Sequence, residues 1–184
     1  MKPKELYKDG TEFFRATNAD WIKRGTRLNK IGLIVAPEDY INYESGKQYF
    51  NFYESLILRR AGEIPGAWHV PSIREWTKID RYFKPTTPKA LDEMVEALHL
   101  GYTGRVLESK KLEYDLSPEE FSDYDEYGKR GYYWSTNLFH GLKDTHAQSY
   151  RIIKDLWGVP EYQWRFFALR VRCVMKISEL SRYT

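Results

Sequence analysis

The groups in this chain with chemistry to offer are few. They are one thiol (Cys173), four imidazoles (His69, His99, His140 and His146) and an acidic segment carrying Asp115, Glu119, Glu120, Asp123, Asp125 and Glu126. A lone cysteine has no intrachain disulfide partner, which points to a reducing compartment or to a fold that needs no bridge. The four histidines and the single cysteine do not make up a zinc-ligand set. Asp123 and Asp125 alternate as the ligands of a calcium loop do, but the glycine and the distal glutamate such a loop requires are missing, so a solvated loop is expected. The chain has no Ser-His-Asp order, no nucleophile elbow and no glycine-rich phosphate cradle. No catalytic residue, metal or cofactor is therefore expected, and binding or assembly is the expected kind of work.

The residue types best suited to binding are aromatic. The chain holds 15 Tyr and 6 Trp, side chains that pair a large contact area with a polar tip. Between Trp134 and Val171 they are mixed with cations, and Tyr150, Arg151, Trp157, Tyr162, Trp164 and Arg165 form the candidate binding surface. Tyr, Trp and Arg are the residues that dominate contact energies at interfaces. The competing reading is sheet packing, because alternate strand positions account for half of these residues.

The elements that would position such a surface follow from periodicity. Leu6-Tyr7-Lys8 and Glu12 to Ala16 flank Asp9-Gly10, a hairpin signal. Ile31 to Ala36 is an apolar run stopped by Pro37 and reads as a buried strand. Gln48 to Arg60 reads as a helix with Tyr49, Phe52, Tyr53 and Leu56 on one face, closed by Gly62. Ser72-Ile73-Arg74-Glu75 is a capping box opening a helix with an Ile73, Trp76, Ile79 and Phe83 stripe. Thr87-Pro88 opens another, with Leu91, Met94, Val95 and Leu98 inward and Gly101 at its end. Tyr132-Tyr133-Trp134 and Ser149 to Ile153 read as strands. Phe167, Leu169, Val171 and Cys173 alternate with Ala168, Arg170 and Arg172, so a half-buried strand closes the chain. Helices in the middle and strands at both ends predict an α+β fold in which N- and C-terminal strands pair. Residues 1–44 form a strand and turn segment that is either an arm or part of the domain, and residues 45–184 form the domain proper.

Charge and targeting narrow the partners. The formal net charge is only +3 and the two signs are interspersed, so a nucleic-acid partner is not expected. No apolar run is long enough to enter a bilayer as a spanning helix. Met1-Lys2-Pro3-Lys4-Glu5 leads into no apolar segment, which predicts cytoplasmic synthesis without a signal peptide.

Three stretches also meet a known pattern. Tyr49-Phe50-Asn51-Phe52-Tyr53 is similar to an aromatic YNWY segment. The stretch from Ile64 to Trp76, with Trp68, His69, Pro71, Ser72 and Glu75 in step, looks like CPxGWHxPSxxEW. Tyr133-Trp134-Ser135-Thr136, followed by Val171-Arg172-Cys173-Val174, resembles YWSST … VRCV. In order and spacing, over residues 45–176, the chain resembles the Fibrobacter succinogenes major paralogous domain family, a relative of the C-type-lectin-like fold of phage tropism proteins and formylglycine-generating enzymes.

The resemblance implies a C-type-lectin-like arrangement of helices packed on small antiparallel sheets. Trp68, Pro71, Ser72, Glu75, Trp76, Trp134, Arg172 and Cys173 would be its structural residues, with Arg172 pointing out of the closing strand toward a carboxylate or carbonyl. Family members often carry a cysteine at the position of Ile64, paired with the one in VRCV. Here Ile64 leaves Cys173 as a small buried hydrophobe. Formylglycine generation needs a cysteine pair, and the tripeptides of calcium-dependent lectins are absent. Most members carry an export signal, so a member without one is expected to be a phage virion component. It would be a structural, assembly or attachment protein contacting other virion proteins, itself as a homo-oligomer, or a host surface ligand. The alternative is a module that recognises a glycan or cell-surface protein through the Tyr150–Arg165 region.

Overall fold

The computed structural model describes residues 4–6, 12–14, 16–43, 45–58, 64–106, 126–142 and 144–183. In chain order its elements are β1 (Lys4–Leu6), β2 (Glu12–Phe14), α1 (Asn18–Arg24), β3 (Thr26–Leu28), β4 (Leu33–Val35), α2 (Phe52–Ile57), α3 (Ile73–Phe83) and α4 (Pro88–Leu98). Then come β5 (Arg130–Leu138), β6 (His146–Ile153), β7 (Gly158–Trp164) and β8 (Val174–Lys176). The molecule is mixed α+β with small antiparallel sheets. β1 pairs with β2, β4 lies between β3 and β8, and β6 lies between β5 and β7.

The helices start where the sequence marks them. Ser72 Oγ accepts the Glu75 amide at 3.1 Å and the Glu75 carboxylate accepts the Ser72 amide at 3.0 Å, so two amides left open at the start of α3 are satisfied reciprocally. Thr87 caps α4, with Pro88 in its first turn. Asn51 and Glu54 form a second capping box, and this box shortens α2. Tyr49 and Phe50, expected inside that helix, precede it, and Phe50 instead bridges Leu169. Gly62 lies outside the described residues. α4 stops at His99, which turns left-handed (φ 51°), before the expected Gly101. The Gly101 amide donates to the Tyr133 hydroxyl at 2.8 Å. α1, in a region read as strands and turns, is seven residues long and buries only Trp21 deeply. So short a helix shows no readable period.

The strands sort their side chains between two hydrophobic clusters by alternation. From β4, Ile34 joins the first cluster, while Leu33 and Val35 join the second. From β8, Met175 joins the first and Val174 the second. From β5, Tyr132 and Trp134 go one way and Tyr133 the other. Trp21, Trp68 and Trp134 anchor the first cluster. Trp76, with Leu91 and Met94 of α4, anchors the second.

The expected pairing of strands from the two ends of the chain occurs between β4 and β8, with Ile34 opposite Met175. The half-buried closing strand does not. Residues 168–175 are buried on both sides. They thread between the Tyr40 amide, which donates to Val171 O at 2.7 Å, and Tyr133, which bridges Arg170. With protein on each face, alternation in this stretch separates Leu169, Val171, Cys173 and Met175 in the first cluster from a second buried layer that holds Arg170, Arg172 and Val174, instead of separating core from water. Arg172 is corrected with it, because its side chain is only 1% exposed.

Candidate functional site

The candidate binding surface divides in three. Tyr150 is removed from it: the ring is fully buried, stacked on Trp76, with its hydroxyl donating to Asp80 Oδ1 at 2.6 Å. Burial and the Asp80 carboxylate push the Tyr150 hydroxyl well above the ordinary tyrosine range, so it stays protonated. Arg151 is half-buried and ion-pairs across the sheet with Glu161 at 2.7 Å, a strand-to-strand clasp. Arg165 donates to the Asp144 carbonyl and lays its guanidinium over Tyr53, 5.1 Å from the ring centre, tying α2 to the sheet.

Trp157 is 44% exposed and sits at the β6–β7 hairpin, where its carbonyl accepts the Ile153 amide at 2.8 Å. Trp164 lies at the opposite end of β7, about 23 Å away at the usual rise per strand residue.

Tyr162 and Trp164 do come together, in company the sequence reading left out. On one face of β6 and β7, Phe139 stacks on Tyr162 (ring centres 4.1 Å apart), the His146 ring meets Tyr162 at 5.4 Å and Trp164 at 5.2 Å, and Phe166 lies 6.4 Å beyond Trp164. Tyr162 is 42% and Phe166 56% exposed. The same strand face carries Tyr150 and Ile152 further along, where α3 and α4 cover it. The exposed rings are thus the uncovered continuation of a buried face. Their signal was in the sequence as Tyr162, Trp164 and Phe166, spaced by two.

The motif residues are structural. Trp68 is fully buried, donates Nε1 to Asn18 Oδ1 at 3.0 Å and meets Trp21 edge-on at 5.3 Å. Trp76 Nε1 donates to the Trp134 carbonyl at 3.2 Å, and Trp134 Nε1 to the Phe50 carbonyl at 2.6 Å. Pro71 is buried, and its carbonyl accepts the Thr136 amide at 3.0 Å.

His69 occupies the bridge between α3 and β8. Its backbone pairs with Val174, its Nδ1 lies 3.1 Å from the Ala67 carbonyl, and its Nε2 lies 3.0 Å from both Glu75 oxygens. Both ring nitrogens face acceptors, an arrangement that the doubly protonated imidazolium satisfies in full. Burial works to raise the Glu75 pKa, but the bonds from His69 and Ser72 outweigh it and hold the carboxyl below its ordinary range.

Arg172 donates to Asp39 Oδ1 from Nε (3.0 Å) and Nη2 (2.8 Å), and also to the carbonyls of Ala36, Leu98 and His99. Arg170, also buried, lies 4.4 Å over the Tyr49 ring. Cys173 is buried in the same cluster as Ile64, and burial pushes its thiol far up.

Among the described residues, no group of three or more His, Cys, Asp or Glu is placed to hold a metal ion, and no helix is long and apolar enough to cross a membrane. Of the acidic segment, Glu126 is described: it accepts the Tyr132 hydroxyl and pairs with Arg130 at 3.0 Å, while Asp115, Glu119, Glu120, Asp123 and Asp125 lie outside the described residues. Compared with protein-family models, curated proteins and solved structures, the chain finds no match.

Proposed function

We propose that this chain is a C-type-lectin-like binding module that works without catalysis, by burying its exposed aromatic face against a protein partner during assembly or attachment of a phage particle. The observation that carries this reading is the row of Phe139, His146, Tyr162, Trp164 and Phe166 on one sheet face. Rings held against one another lose little freedom on binding and exclude water over a wide area, which suits a protein contact. The family side of the proposal draws support from Ile64 and Cys173. They share one apolar cluster, as two positions that relatives join by a disulfide should. The capping box and the Trp68, Trp76 and Trp134 anchors play the packing roles that the resemblance implies.

The test is sedimentation of source-cell lysate with mass-spectrometric detection of the chain, run for the wild type and for a Tyr162→Ala/Trp164→Ala variant. The wild type is expected to travel with a large particle and the variant to travel free, with an unchanged melting temperature. A wild type that migrates as a free monomer overturns the assembly reading. Loss of binding to a neutral glycan in that variant would reassign the face to a sugar ligand.

A further inference from the structure

A second feature, independent of the aromatic face, is a cleft of about 760 Å³ where three distant parts of the chain meet. One wall is the turn leading into β4, another the first turns of α3, and the third the end of β8 with the 3-10 turn that follows it (Ile177–Arg182). Its volume is that of a small-molecule site. Ile31 and Ile177 supply half-buried apolar surface, and the Ile177 amide fastens the third wall to the first by donating to the Gly32 carbonyl at 2.9 Å.

The charges lining this cleft do not cancel. Its carboxylates are already engaged, Glu75 by His69 and the Ser72 amide, and Glu179 by Arg182 at 3.0 Å. Arg74, Lys78 and Lys176 are exposed, line the cleft, and take no carboxylate partner among the described residues. Arg74 and Lys78 are one helical turn apart on α3, so they present their charges side by side. Three like charges on one cleft give it a positive local potential. A cation or a purely apolar molecule would leave these charges repelling one another. An anion relieves that repulsion, and an arginine fork with two ammonium groups matches the oxygens of a carboxylate or phosphate.

We propose that this cleft binds a small organic anion, a carboxylate or phosphate group on a compact body such as a sugar. The acidic group sits among Arg74, Lys78 and Lys176, and the body rests on Ile31 and Ile177.

The test is calorimetric titration of the full chain with glucuronate, glucose 6-phosphate, glucose and inorganic phosphate. At least one charged sugar is expected to bind with Kd below about 1 mM, with glucose and inorganic phosphate clearly weaker. The tighter of the two charged sugars identifies the preferred anion. Arg74→Ala and Lys78→Ala, both at exposed positions, should each weaken binding about tenfold, the cost of losing a charged hydrogen bond. Raised salt should weaken it as well. The proposal is overturned if neither charged sugar reaches that affinity, if glucose or inorganic phosphate binds as tightly, or if both variants bind like the wild type. The Tyr162→Ala/Trp164→Ala variant should bind the anion normally, so this proposal and the aromatic-face reading fail separately.

Discussion

The Trp76 indole lies flat on the Tyr150 ring, with centres 4.9 Å apart and planes 11° from parallel. One helical turn after Trp76, Asp80 receives the Tyr150 hydroxyl. α3 therefore grips β6 at two points, and Tyr150 belongs to the fold and not to a binding surface. Tyr150→Ala is expected to cost about 3–5 kcal/mol, as other emptied aromatic sites do. Tyr150→Phe keeps the stack and should cost about 1–2 kcal/mol through the lost hydrogen bond to Asp80. Urea unfolding of both variants measures this, and a Tyr150→Ala midpoint equal to the wild type would remove the ring from the core.

Glu75 and Asp80 lie on one helix, yet their stability contributions run in opposite directions with pH. The Glu75 pKa is lowered on folding, so its contribution is present above its ordinary value of 4.5 and is lost as pH falls through the folded value. The Asp80 pKa is raised by burial, against the Tyr150 bond, so its contribution is present below its ordinary value of 3.8 and is lost as pH rises through the folded value. Glu75→Gln should therefore cost about 1–2 kcal/mol at neutral pH and much less under acid, when Glu75 is itself protonated. Asp80→Asn should be near neutral or slightly stabilising at neutral pH. Melting curves across the acid range check both signs.

Arg172 joins Asp39 to three carbonyls from two segments, Ala36 on one side and Leu98 and His99 on the other. Arg172→Ala orphans all of these buried acceptors, and an expected loss of about 3–5 kcal/mol follows. Arg172→Lys should recover only part, since a single ammonium does not reproduce the planar fork. Chemical denaturation of the pair distinguishes a bonding role from charge alone.

Gly131 has no room for a side chain: a Cβ there would stand 2.3 Å from the Gly101 carbonyl oxygen and 2.9 Å from Ile152. Gly131→Ala must move backbone, and about 1–3 kcal/mol of destabilisation is expected. Gly32, left-handed at φ 70° but facing open space, is the contrast. Gly32→Ala should cost only about 1 kcal/mol of conformational strain. Thermal melts of the two variants should fall in that order.

Cys173 should be inert in the folded protein. The thiolate is the reactive form, and burial disfavours it here. A thiol reagent should label Cys173 only as fast as the chain opens, and addition of urea should make labelling rapid. Fast labelling under native conditions would mean that the site is open to solvent.

The sequence by itself determined the local features. Helix starts were legible at Ser72 and Thr87, because a cap is a contact between residues three apart. The buried stripes around Trp76 and Leu91 were legible because the helical period is local too. The α+β class followed from these elements, and so did pairing between strands from the two ends of the chain. Tertiary structure alone decided which face each strand residue serves. In residues 168–175 the positions that alternate with the first cluster are covered too, so Arg172 reads as an outward residue in sequence and is buried in the fold. It also decided that Tyr150 lies under α3 while, on the same strand face, Tyr162 is exposed and Trp164 half-buried. The charged cleft was illegible for the same reason. Arg74, Lys78 and Lys176 are ordinary surface cations in sequence, and only chain folding brings β8 beside the start of α3 and leaves them with no carboxylate partner among the described residues. Periodicity reports that a residue has a buried side. What covers that side, or fails to, depends on segments far away in sequence.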